Sequence, residues 1–239
     1  MLINYSLSDK GLKRLNNEDA IYTSSLLTLV SDGMGGHEKG EVASSLIIEE
    51  FTKIFDDKKK IIDTDIEKLI SNTIKNSHQK ITQYAKENSI TTTIGATLVG
   101  LLEFKHSKLA VFHLGDSRLY RIRNKKIEAL TTDHSVYEEM LKTQKYTQEE
   151  MSRIKKNKIT KAVGNFPFIE PEINFLDAIV DDIYMLCSDG VSDLCSDEEL
   201  YQIVVKNRDD LKKATIEIKE LVYSQGAKDN LSIILSIYN

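Results

Sequence analysis

Residues 28–41 read TLVSDGMGGHEKGE: an apolar run ends in Ser31-Asp32-Gly33, and four glycines fall within the eight positions 33–40. Glycine lets the backbone take positive φ and lets a ligand approach closely, so a glycine-rich turn between a strand and a helix is a common phosphate cradle. The spacing argues against that use here. Gly35 to Gly40 fits G-x-x-x-x-G, but a P-loop continues with Lys and then Ser or Thr, and this chain continues with Glu41 and Val42. The dinucleotide pattern starts at Gly33 and Gly35 and then meets Glu38 where its third glycine belongs. Asp32, at the head of the loop, repels an anion and suits a cation.

The loop has a twin. LLTLVSDG ends at Asp32-Gly33 and IYMLCSDG ends at Asp189-Gly190, so two apolar strands each deliver Ser-Asp-Gly at the end of a strand. Further acids stand at similar junctions: Glu18 and Asp19 in RLNNEDA, Asp116 in VFHLGDSR, Asp193 after the second Ser-Asp-Gly, and Asp229 in GAKDNLSIIL. Aspartate favours turns for its own reasons, but five separate junctions are hard to explain as turns alone. Carboxylates gathered in one cleft repel unless divalent cations neutralise them, and hard oxygen ligands select Mg²⁺ or Mn²⁺ over zinc. Two such ions acidify a bridging water, orient the resulting hydroxide and neutralise an attacked phosphoryl group. Arg14, four residues before Glu18, supplies a guanidinium that binds phosphate bidentately.

The rest of the chain narrows the class. With 239 residues, 41% hydrophobic, and a net charge of −5, the chain can bury a large core and is not expected to take nucleic acid as its main partner. No apolar run reaches the length of a membrane span and MLINYSLSDK lacks the form of a secretory signal, so a cytoplasmic protein with no membrane contact is expected. Cys187 and Cys195 make neither a disulfide framework nor a zinc site and read as reduced thiols. Strand-like segments fall at residues 2–8, 20–31, 93–104, 108–114, 117–123, 171–179, 182–188 and 230–238. Two amphipathic helices follow the glycine loop, through Ala43, Leu46, Ile47, Phe51, Ile54 and Phe55 and then Ile66, Ile70, Ile74, Ile81 and Tyr84, and a second pair is expected near 197–205 and 208–224. Strands in series interrupted by two helix pairs predict two packed sheets with helices outside, in a single domain spanning 1–239. Residues 134–165 break the rhythm as a charged surface insertion, whose RIKKNK run reads as a solvated face.

Taken together, DKGLKRLNNEDA, VSDGMGGHEKGEVAS, IGATLV, HLGDSRLYRI, LTTDHS, ITKAVG, MLCSDGVSD and KDNLSII resemble, in order and over nearly the whole chain, the metal-dependent type 2C serine/threonine protein phosphatases in their compact bacterial form. The resemblance implies an α+β fold, a four-layer α-β-β-α sandwich of two antiparallel sheets with the metals in a cleft at one edge and residues 134–165 as a flap. It implies hydrolysis of phosphoserine and phosphothreonine in protein substrates with Mn²⁺ or Mg²⁺, in opposition to a partner serine/threonine kinase. Carried over by position, Asp32 bridges two ions, Asp189 and Asp229 complete the first site, Glu18 and the Gly33 carbonyl serve the second, and Asp19 supports through water. Asp116, with Asp189 and Asp193, matches a third, weaker site, and Arg14 matches the phosphate-binding arginine. One departure concerns the proton donor. Where many eukaryotic members place a histidine directly after Asp-Gly, this chain has Met34; His37 stands three residues further on, reads as a structural loop residue in preference to a general acid, and leaves the donor open. A monomer is expected.

Overall fold

The chain begins with β1 (Leu2–Asp9) and then enters a hairpin of β2 (Ala20–Thr23) and β3 (Leu27–Ser31). The computed structural model describes residues 1–35, 39–56, 61, 65–143, 146–147, 150–151, 154, 158–164 and 167–239. The continuous strand expected over 20–31 is divided because Ser24 folds the chain back: its amide donates to Leu27 O at 2.8 Å and its Oγ accepts from Leu27 N at 3.0 Å. After β4 (Gly33–Gly35) come α1 (Gly40–Phe55) and α2 (Ile66–Glu87). Ala43, Ile47, Phe51 and Phe55 recur every four residues and are fully buried, which lays one face of α1 onto the sheet beneath it. Phe51 stacks on Phe55 and on Phe112, with ring centroids 5.5 and 5.2 Å apart. Asp65 caps α2 by accepting from Lys68 N, and Ile70, Ile74 and Ile81 form its buried stripe.

Next come β5 (Ile94–Ala96), β6 (Leu98–Lys105), β7 (Lys108–Leu114), β8 (Arg118–Arg123) and β9 (Lys126–Ala129). The expected strand 93–104 is interrupted at Thr97, which leaves the ladder to bond Asp32. β9 was not among the expected strands. Asn124 and Lys125 both have positive φ, 51° and 60°, the two-residue turn whose twist matches a hairpin. Then follow α3 (Val136–Thr143), β10 (Val163–Gly164), β11 (Glu172–Asp177), β12 (Ile183–Cys187), the single turn α4 (Asp189–Ser192), α5 (Asp197–Lys206), α6 (Leu211–Ser224) and β13 (Leu231–Tyr238). A Ser196–Glu199 capping box starts α5, and Asp210 caps α6 through Lys213 N.

Two five-stranded antiparallel sheets result, in the orders β1-β13-β12-β8-β9 and β11-β7-β6-β3-β2. Val30, Val99, Val111, Leu119, Tyr184, Leu186 and Ile234 fill the layer between them. Helices α1 and α2 cover the outer face of one sheet, and α5 and α6 cover the other. This is the α-β-β-α order expected, with one addition: a small third sheet, β10-β5-β4, holds the glycine loop against the end of the insertion. At the base of the insertion, Ser135 and Ile159 form an antiparallel bridge and Val136 N donates to Lys158 O at 2.9 Å. Of the expected flap, 134–165, residues 144–145, 148–149, 152–153, 155–157 and 165 lie outside the described residues, as does most of the RIKKNK run.

Candidate metal centre

β12 is the middle strand of its sheet, β3 packs across from it, and all five residues of each are buried. A side chain that follows such a strand has little freedom in where it emerges. Asp32 and Asp189 therefore come out into one cavity of about 240 Å³. The same cavity is lined by Arg14 and Glu18 from the β1–β2 connection, by Asp116 from the β7–β8 turn, and by Asp229 from the loop just before β13.

The glycines explain how so many segments approach so closely. A Cβ on Gly33 would lie 2.3 Å from Gly40 O and 2.5 Å from Glu18 O, and one on Gly40 would lie 2.5 Å from Glu18 Oε2. On Gly190 it would lie 1.9 Å from Asn230 O. The glycine loop thus serves close packing of backbone around the Glu18 carboxylate, and it is not spaced to cradle a phosphate.

Hydrogen bonds fix the segments that carry these side chains. Asp32 N donates to Thr97 Oγ1 at 3.0 Å and Asp32 O accepts from Thr97 N at 2.9 Å, while Thr97 Oγ1 meets Ser117 Oγ at 2.6 Å. Asn230 Oδ1 accepts from Glu18 N at 2.9 Å, and Asn230 Nδ2 donates to Asn16 O at 2.9 Å and Lys10 O at 3.1 Å. Ser188 Oγ donates to Asp19 Oδ2 at 2.8 Å. Arg14 Nη2 pairs with Asp229 Oδ2 at 2.6 Å.

The electrostatics are those of a crowded acidic site. Burial is the largest cause for each of the carboxylates. It raises Asp32 well above the ordinary carboxylate value, and the charges of Asp19, Asp189 and Asp116 add to the effect. Asp189 is pushed up to about 8 by burial and then by Asp116, Asp229 and Asp193. Asp116 rises to about 6, from burial and the nearby Asp133. Asp19 also rises to about 6, burial outweighing the hydrogen bonds from Ser232 and Ser188. Glu18 is raised by burial and by Glu41. Arg14 is raised, first by its hydrogen bond to Asp229. Carboxylates so arranged hold protons or a cation. Two buried oxygens, Asp19 Oδ1 and Asp189 Oδ1, meet no hydrogen-bond donor among the described residues, as a coordinating or water-bridging oxygen requires. The donor set is all oxygen, which fits Mg²⁺ or Mn²⁺ and not a soft-ligand metal.

Of the residues expected at the site, Arg14, Glu18, Asp32, Gly33, Asp116, Asp189 and Asp229 line the one cavity. Asp19 lies behind it, against Ser188. Asp193 is exposed and, with Asp116, Asp189, Asp133 and Glu138, borders an adjoining recess of about 70 Å³. His37 lies outside the described residues. Thr97, Ile159 and Asn230 also line the cavity and were not singled out from the sequence. Among the described residues, no helix is long and apolar enough to cross a membrane.

Known proteins are similar to this chain in sequence and in structure. The serine/threonine protein phosphatase PstP of Mycobacterium tuberculosis is 30% identical over 230 residues, 96% of this chain and 43% of that protein, so the chain spans less than half the length of this relative. The solved structure of the M. tuberculosis serine/threonine phosphatase PstP/Ppp superposes with a TM-score of 0.91 at 29% identity, covering 100% of this chain and 99% of that one. The catalytic domain of PstP, solved in complex with two manganese ions, superposes with a TM-score of 0.88 at 29% identity, covering 99% and 97% of the two chains. The family profile described as protein phosphatase 2C matches residues 13–236, and the chain belongs to that family.

Proposed function

We propose that the protein is a divalent-cation-dependent phosphatase that removes phosphate from phosphoserine and phosphothreonine in proteins. The observation that carries this reading is the convergence of Glu18, Asp32, Asp116, Asp189 and Asp229 with the Arg14 guanidinium in one cavity. Family membership and the manganese bound by the structural relative support it.

In this reading Asp32 would serve two ions, with Asp189 and Asp229 at one and Glu18 and the Gly33 carbonyl at the other, and Asp19 would act through water. Asp116 and Asp189, with Asp193, would take a third, weaker ion. When bound, Mn²⁺ or Mg²⁺ supplies an activated water for attack on phosphorus and neutralises the charge that develops there. The chain's own residues do the rest. Arg14 holds the outer phosphate oxygens through a charge-assisted, two-pronged contact. Thr97 and Asn230 keep the backbone of Asp32 and Glu18 in place, so alignment is established before substrate arrives. The chemistry opposes that of a serine/threonine kinase, and the phosphorylated targets of such a kinase are the substrate class.

Phosphate release from a phosphothreonine peptide tests the reading. The purified protein is expected to turn over with added Mn²⁺ and to stop in excess EDTA. Turnover that persists under full chelation contradicts it.

A further inference from the structure

His134 is buried, 3% exposed, at the point where the insertion leaves the sheets. It clasps Gly115 twice. His134 N donates to Gly115 O at 2.8 Å, and Gly115 N donates back to His134 Nδ1 at 3.1 Å. Because Nδ1 accepts, the ring proton sits on Nε2, which donates to Glu172 Oε1 at 2.7 Å. The carbonyl of His134 accepts from Thr160 N at 2.7 Å, on the returning arm of the insertion, and Lys161 of that arm also reaches Glu172 at 3.3 Å. His113 lies flat against the ring, with centroids 4.5 Å apart and planes 3° from parallel, and is itself anchored to Thr132 O at 3.0 Å.

Gly115 directly precedes Asp116, and it cannot move freely. Its φ of +113° favours glycine, and a Cβ there would lie 2.6 Å from Thr97 Cγ2, the residue that holds Asp32. On the other side, the neighbour of Thr160 is Ile159, which lines the acidic cavity. His134 therefore reaches the returning arm through its backbone carbonyl, while its side chain joins the start of β11 to the turn that presents Asp116.

We infer that His134 is a positioning residue that sets Asp116 and the Ile159 wall of the cleft relative to one another. The inference deepens the phosphatase reading and rests on it for the role of Asp116. His113, His134 and Glu172 are also close enough to offer three ligand atoms to a cation. The hydrogen bonds favour protons over a metal: both ring nitrogens of His134 are engaged, and parallel stacked rings do not aim their lone pairs at a common point.

Two substitutions separate the contacts. The amide oxygen of His134→Asn can take the place of Nδ1 and keep the bond from Gly115 N, whereas His134→Gln reaches only towards Glu172. Hydrogen exchange of the Gly115 amide in cation-free protein is expected to be roughly tenfold faster in H134Q than in H134N, the size of one lost buried hydrogen bond. In Mn²⁺ titrations followed by calorimetry, H134Q should weaken the weakest binding event by a similar factor while the tighter events stay unchanged. Equal exchange and equal Mn²⁺ binding in two folded variants would overturn the inference. If H134Q does not fold, ¹⁵N NMR of the unaltered protein decides: Nδ1 unprotonated and Nε2 protonated at pH 7 agrees, and the opposite tautomer, or a shift of either nitrogen on adding Zn²⁺, overturns it. Absence of turnover in the unaltered protein, with the exchange difference intact, would instead count against the phosphatase reading.

Discussion

Arg14 Nη2 lies 2.6 Å from Asp229 Oδ2, across 215 residues of sequence. This ion pair joins the residue proposed to hold phosphate to a residue proposed to hold metal. Both side chains are part-exposed, so the pair contributes little to stability and its value lies in orientation. A guanidinium is planar and two-pronged, and a lysine in its place would offer a point charge. Arg14→Lys is expected to lower kcat/KM on a phosphothreonine peptide by roughly ten- to a hundredfold, mostly through KM, with the melting temperature nearly unchanged. Steady-state kinetics beside a thermal melt checks this.

Asp189→Asn should move stability and activity in opposite directions. Burial and its acidic neighbours push Asp189 up to about 8, so its charge is costly when no cation is present. The neutral amide removes that cost. At pH 8 in EDTA the variant should melt higher than the unaltered protein, gain less from added Mn²⁺, and lose turnover by roughly a hundredfold or more. Paired melts with and without Mn²⁺ measure both effects.

A pH dependence of definite sign follows from the same groups. Without cations, folded Asp19 and Asp116 keep their protons to about pH 6 and Asp189 to about pH 8, whereas an unfolded aspartate ionises near 3.8. Between those values the folded state binds more protons than the unfolded state, so stability falls as pH rises. Chelated protein should therefore melt lower at pH 8 than at pH 5.5. Mn²⁺ takes over the role of the protons and should flatten or reverse the trend. A chelated protein most stable at pH 8 would contradict the placement of these carboxylates.

Asn230 ties the β1–β2 connection to β13 through Glu18 N, Asn16 O and Lys10 O. Asn230→Ala leaves these backbone groups without their partner. A loss of about 1–3 kcal/mol in denaturant unfolding is expected, together with weaker Mn²⁺ binding, because Glu18 and Arg14 lie on the released segment.

The twin Ser-Asp-Gly ends were legible because strand burial and a following turn both leave marks in sequence, and the two strands that carry Asp32 and Asp189 are buried from end to end. The helix pairs were legible for the same reason, from the four-residue recurrence of Ile47, Phe51 and Phe55. Thr97 and Asn230 were not. A threonine between β-rich segments and an asparagine in a turn are both ordinary, and what distinguishes them is bonding to backbone groups distant in sequence. β9 escaped because Lys126–Ala129 is mostly exposed and shows weak alternation, although Asn124-Lys125 carried a turn signal. The break at Ser24 falls in Thr23-Ser24-Ser25, a polar stretch too short to interrupt the apolar character of 20–31 as a whole.

Diffraction from a manganese-soaked crystal, measured at the manganese absorption edge, tests the central claim most directly. The account predicts at least two anomalous peaks in the cavity between Asp32, Asp189, Asp229 and Glu18, with Asp32 touching both. Peaks confined to other parts of the surface, with these carboxylates bound to no ion at saturating manganese, would contradict it.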